Sequence, residues 1–214
     1  MSVRPFTLIA AMACTLAACG HATRPEAPAA PRTWTVEVPE ISHPDGEDAR
    51  WWYRSGAARA AANGAMNGRA KNVILFLGDG MSLTTVAAAR ILEGQRRGQP
   101  GEENLLAWEH FPHTALSKTY NTDSQTPDSA GTMTAIATGV KSHMGAIGVS
   151  AGRYDDCAGS HDKALLSWLR LAQSAGLATG IVTTTRLTHA TPAATYAHSP
   201  DRDWESDAST PEKA

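Results

Sequence analysis

A serine beside a carboxylate, at the start of a helical stretch, is the most reactive-looking arrangement in this chain. It lies in Pro127-Asp128-Ser129-Ala130-Gly131-Thr132. The run Met133-Thr134-Ala135-Ile136-Ala137-Thr138 carries the helix on to Gly139, a glycine stop. A hydroxyl at a helix N-terminus faces unpaired backbone N–H groups and the positive end of the macrodipole. That setting suits an incoming phosphate and the alkoxide that attacks it. Asp and Ser are also preferred N-cap residues, so capping alone accounts for the pair if nothing else converges on it.

Two further positions carry complementary groups. Residues 71–77, Lys-Asn-Val-Ile-Leu-Phe-Leu, form an apolar run of the kind expected of a parallel strand buried on both faces. Asp79 follows in Gly78-Asp79-Gly80-Met81, at the carboxyl end of that strand, where open α/β sheets place their ligands. Residues 177–185 read as a second buried strand. After it come His189-Ala190-Thr191-Pro192, Tyr196-Ala197-His198 and Asp201-Arg202-Asp203-Trp204. Oxygen and imidazole donors of these types suit Zn²⁺ and Mg²⁺, and Arg202 offers a planar fork for phosphate. An Asp-Gly turn at Asp79 and a satisfied strand-end histidine at His189 are the structural alternatives. A serine hydroxyl needs a base or a metal to become a nucleophile, and no Ser-His-Asp triad is evident.

These blocks, in this order, resemble the alkaline phosphatases. Further blocks extend the resemblance from about Asp48 to the C-terminus: Ala115-Leu116-Ser117-Lys118-Thr119-Tyr120-Asn121, Thr138-Gly139-Val140-Lys141, Thr183-Thr184-Thr185-Arg186 and Ser206-Asp207. The chain looks more similar to the branch that includes the animal enzymes than to the best-studied bacterial one. The resemblance implies hydrolysis of phosphate monoesters through a phosphoserine, with two Zn²⁺ and one Mg²⁺. It implies a three-layer α/β fold with a mostly parallel central sheet and helices on both faces, and a homodimer. Ser129 is then the nucleophile and a metal ligand, Asp79 the carboxylate bridging one zinc and the magnesium, and Thr191 a magnesium ligand. Arg202 grips two phosphate oxygens, with Asp128 helping to hold its guanidinium. His189 takes a position that is Asp in the best-studied bacterial branch, and serves the magnesium site from behind its direct ligands. Two other readings are a phosphodiesterase- or sulfatase-like hydrolase of the same superfamily and a non-catalytic envelope lipoprotein. Ser129-Ala130-Gly131-Thr132 lacks the Cys/Ser-x-Pro-x-Arg segment that sulfatases mature.

The positioning elements follow from periodicity and turn signals. A helix is expected over residues 47–67, stopped at Asn67-Gly68, another over residues 82–93 after the Asp79 turn, and a third over residues 162–175. Strand, helix, strand in this order implies parallel pairing. The first helix either packs on its own domain or, as the resemblance implies, reaches across to another subunit.

The first residues read as an export signal. Arg4 precedes an apolar stretch too short to span a bilayer comfortably, ending in Leu16-Ala17-Ala18-Cys19, which resembles the bacterial lipobox. Residues 1–18 are therefore expected as a lipoprotein signal, with lipidation at Cys19. Residues 19–45 form an Ala/Pro-rich tether and residues 46–214 the N-terminal part of the phosphatase domain. The protein is expected in the cell envelope, periplasmic or anchored to the outer membrane, touching membrane only through its lipid. Cys157 would be the one thiol in the globular part. The resemblance implies a disulfide to a cysteine farther along, and a single free thiol is the alternative. A formal charge of −2 with no basic block speaks against nucleic acid. With 214 residues the chain is much shorter than the phosphatases it resembles, whose remaining zinc ligands lie in the second half. A fragment, or a product with little activity of its own, is expected.

Overall fold

The computed structural model describes residues 48–65, 70–150 and 156–211. The expected signal, the tether, Cys19 and the Asn67-Gly68 stop lie outside the described residues. Helix α1 covers Ala49–Ala62, capped by Asp48, whose carboxylate accepts the Trp51 N–H at 2.7 Å. It stops at Asn63, earlier than expected, because Asn63 and Gly64 already turn their N–H groups back onto Arg59 and Ala61. Tyr53 of α1 lines a cavity of about 430 Å³ together with Ile136, Gly139, Leu166 and Trp168.

Helix α2 covers Leu83–Arg96 with Ser82 as its cap. It outruns the expected end at Glu93, and an Arg97–Glu93 ion pair of 2.6 Å closes the last turn. Arg90 ties α2 to a 3₁₀ turn at Ala107–His110 through a two-pronged pairing with Glu109.

Helix α3, Ser129–Thr138, is the centre of the core. Its cap is Asp128, and it ends at Gly139 with φ +81°, a left-handed conformation that a β-carbon would strain. Its inward face, Ala130, Met133 and Ala137, packs against Ile147 and against Ala190, Ala193 and Ala194. The last three belong to helix α6, Ala190–Ala193, and its C-cap Ala194. Alanine on both surfaces lets the two helices approach closely, and burial of Met133 and Ile147 contributes about 1.5–3 kcal/mol each. Thr134, fully buried, stitches α3 to the following loop by donating to the Ala146 carbonyl and accepting the Gly148 N–H.

Helix α4 is a single turn, Cys157–Ser160, and its cysteine is free among the described residues. Helix α5 covers Trp168–Ser174, capped by Ser167, about half the expected 162–175. The first residues of that span are drawn into backbone pairing instead. Leu165 N–H bonds the Gly148 carbonyl at 2.8 Å, and Val149 bridges Ala164.

The two expected strands depart most from expectation. Residues 71–77 and 177–185 run without helix, but neither joins a ladder, and among the described residues the only β-pairs are isolated antiparallel bridges. Ile74 is 77% exposed, Phe76 89% and Val182 101%, where full burial was expected. The physical reason is pairing: a parallel strand needs neighbours for its N–H and C=O groups and helices over both faces. No described residue supplies these. No helix of the described residues is long and apolar enough to cross a membrane.

Candidate active site

The start of α3, the N-terminal end of α6 and the loop carrying Arg202 converge. Asp128 organises them. One oxygen, Oδ1, accepts the Gly131 N–H at 3.0 Å, the ordinary capping bond, and the Asn121 side-chain amide at 2.9 Å. The other, Oδ2, accepts the Gly145 N–H at 3.1 Å and Arg202 Nη1 at 3.1 Å. Capping and arginine-holding are thus carried out by the two oxygens of one carboxylate. Burial pushes the Asp128 carboxyl upward, but the Gly131 N–H, Asn121, Arg202 and the Gly145 N–H together outweigh it and hold the group below the usual carboxylate range.

Arg202 reaches three groups. Its Nη1 donates to Asp128 and, at 3.0 Å, to Ser129 Oγ. Its Nη2 lies 3.3 Å from His189 Nε2. Because a guanidinium only donates, His189 Nε2 is the acceptor and the proton belongs on Nδ1. That Nδ1 is buried and has no hydrogen-bond partner.

Two residues after His189 in the chain, Thr191 Oγ1 donates to Asp79 Oδ2 at 2.6 Å, joining positions 112 residues apart. The turn after residues 71–77 is therefore held at the start of α6, although the run leading to it is unpaired. Farther from the centre, Arg186 and Thr188 both bond Glu205, which binds the loop bearing His189 to the loop bearing Arg202. Hydrogen bonds from Arg186 and then Thr188 hold the Glu205 carboxyl at about 2.

The six expected site residues within the described segments fall into two hydrogen-bonded groups. Ser129, Asp128, Arg202 and His189 form one hydrogen-bonded cluster, and Thr191 pairs with Asp79. His189 was expected to serve a magnesium ion, and its direct contact is Arg202. Asn121, the Gly131 and Gly145 N–H groups and the Arg186–Glu205 clasp were not anticipated.

The donor set admits a hard cation at Asp79 and Thr191, which offer oxygen alone. For zinc, no group of three or more His, Cys, Asp or Glu converges among the described residues. A two-zinc complement needs donors beyond these.

Chemically, a serine hydroxyl at a helix start, a fixed arginine fork and an oxygen-donor pair make a site for a tetrahedral oxyanion. Comparison with known proteins gives the family. The pattern of the alkaline phosphatase family matches residues 70–214, and the chain belongs to that family. The tissue-nonspecific alkaline phosphatase of Gallus gallus is 58% identical over 143 residues, 66% of this chain and 28% of that protein. Its Homo sapiens counterpart is 57% identical over 146 residues, 68% of this chain and 28% of that protein. Among solved structures, the cold-active alkaline phosphatase of the psychrophile Shewanella sp. aligns with a TM-score of 0.49 at 29% identity, over 59% of this chain and 29% of that one. The chain spans 28% of the length of these curated relatives. Family membership carries the α/β fold class expected from the sequence.

Proposed function

We propose that the protein containing this chain hydrolyses phosphate monoesters, with Ser129 as the group that becomes phosphorylated. The observation that carries this reading is the Arg202 guanidinium, bonded at once to Ser129 Oγ and to the Asp128 carboxylate.

An arginine held in this way has a fixed fork facing the position where the substrate's non-bridging oxygens must lie. Asp128 fixes the fork by charge and geometry, so little reorganisation is required when substrate arrives. Ser129 Oγ sits at the first position of α3, where free N–H groups and the helix dipole favour negative charge on the attacking oxygen and on the phosphate. His189 accepts from Arg202 Nη2 and steadies the guanidinium from the other side. The transition state of phosphoryl transfer asks for positioning and charge neutralisation, and Arg202 provides both.

Two Zn²⁺ and one Mg²⁺ complete the reading. Bound divalent cations supply the charge that lowers the serine pKa and stabilises the attacking and leaving oxygens. Asp79 and Thr191 suit the magnesium. Zinc would be held in part by Asp79 and Ser129, and would need further donors besides the described ones.

The same reading covers location and assembly. Leu16-Ala17-Ala18-Cys19 supports export and acylation at Cys19, giving a protein tethered in the cell envelope. A homodimer rests on the family alone. The test of the proposed function is hydrolysis of an aryl phosphate by the intact protein in the presence of Zn²⁺ and Mg²⁺. Turnover should be lost in Ser129→Ala, and turnover retained in that variant contradicts the reading.

A further inference from the structure

We propose that Asn121 is a positioning residue for phosphate binding, acting through Asp128 on Arg202. The inference rests on the phosphate-gripping role given to Arg202 above.

Asn121 is 3% exposed and makes one side-chain hydrogen bond, from Nδ2 to Asp128 Oδ1 at 2.9 Å. The amide has only one workable orientation. Turned over, it would set its oxygen against the carboxylate, acceptor against acceptor. In the orientation adopted, Oδ1 is buried without a hydrogen-bond partner. It lies against α3, where a β-carbon added to Gly131 would approach it to 2.8 Å. An apolar side chain of the same shape would avoid that unsatisfied acceptor. What it could not do is donate to Asp128.

The backbone under Asn121 is fixed from both directions. Its N–H bonds the Ser124 carbonyl at 2.9 Å, and the next N–H, of Thr122, bonds Ser142 at 3.0 Å. Lys141 Nζ donates to the Tyr120 carbonyl at 2.7 Å. The amide therefore reaches Asp128 from a rigid support. With Asn121 and the Gly131 N–H on Oδ1, and the Gly145 N–H on Oδ2, rotation of the carboxylate would break three bonds. The remaining direction on Oδ2 is the one Arg202 uses. Asn121 thus helps to set where the Arg202 fork stands relative to Ser129 Oγ.

The experiment uses the intact protein and two variants. Asn121→Leu keeps the approximate shape and Asn121→Ala removes the side chain, and both take away the donor without adding a charge beside Asp128. The readouts are KM for an aryl phosphate and Ki for inorganic phosphate. Both constants should rise roughly tenfold, in line with the loss of one hydrogen bond to a charged group, and kcat should fall less. In an Arg202→Ala background the same changes should add nothing, since the route through Arg202 is already gone. Should Asn121→Leu fail to fold, Asn121→Ala carries the same readings. An unchanged Ki in a folded variant overturns the inference, and so does an equal loss with and without Arg202. Arg202→Ala alone separates this inference from the reading beneath it. An unchanged Ki there contradicts the phosphate-gripping role itself. A raised Ki there, with none in the Asn121 variants, contradicts only the inference.

Discussion

Arg202 Nη1 stands 3.0 Å from Ser129 Oγ, although 73 residues separate them in the chain. The same nitrogen bonds Asp128, the residue that caps the helix on which Ser129 sits. Ser129, the cap of its helix and Arg202 are thus joined in one hydrogen-bonded unit.

Replacing Arg202 separates charge from geometry. A lysine in its place would keep the charge and lose the planar fork, so Arg202→Lys should weaken binding of inorganic phosphate almost as much as Arg202→Ala, on the order of tenfold or more. Competitive inhibition by phosphate measures it. Full rescue by lysine would show that charge alone matters.

Acid should loosen the cluster in a defined direction. The folded-state pKa of Asp128 lies below its unfolded value of about 3.9. The group therefore contributes stability that is present above that value and is lost as pH falls through the lower, folded one. The melting-temperature gap between wild type and Asp128→Asn should be constant near neutrality and narrow below about pH 4. A gap that widens on acidification contradicts the assignment.

Magnesium should bind weakly for its class. Asp79 and Thr191 bring one negative charge, and His189, two residues from Thr191, is an imidazole in contact with Arg202. His189→Asp adds a hard anionic oxygen and should tighten Mg²⁺ binding roughly tenfold in calorimetry. Equal affinity in the two proteins would remove His189 from the magnesium account.

At the N-terminus, the lipobox-like segment predicts a diacylglyceryl group on Cys19. Mass spectrometry of the native N-terminal peptide reads it directly. An unmodified N-terminus at another residue would rule out the lipid anchor.

How far the sequence revealed this architecture varies with the range of the interaction involved. Helix α3 was legible from end to end, because Asp128 as cap and Gly139 as stop are local choices made by neighbouring residues. Ser129, Arg202, Asp79 and Thr191 were legible as chemistry, since each carries a hydroxyl, a charge or a carboxylate at an informative place. Their apposition was not. It depends on the packing of α6 against α3, which alanines at 130, 137, 190 and 193 make possible without any pattern of their own. The strand expected at residues 71–77 is not formed, because its pairing and burial depend on neighbours that the described residues do not supply. Asn121 gave no signal. A neutral amide in a loop looks like any turn residue until its partner seven positions on is in place.

The central claim is that Ser129 takes the phosphoryl group, and covalent trapping tests it most directly. The intact protein is incubated with labelled aryl phosphate, quenched in acid and digested, and the label is assigned by mass spectrometry. Phosphate should appear on Ser129, and Ser129→Ala should lose both the label and at least about 10³-fold in kcat. Label on any other residue, or none in a preparation that turns over substrate, would contradict the account.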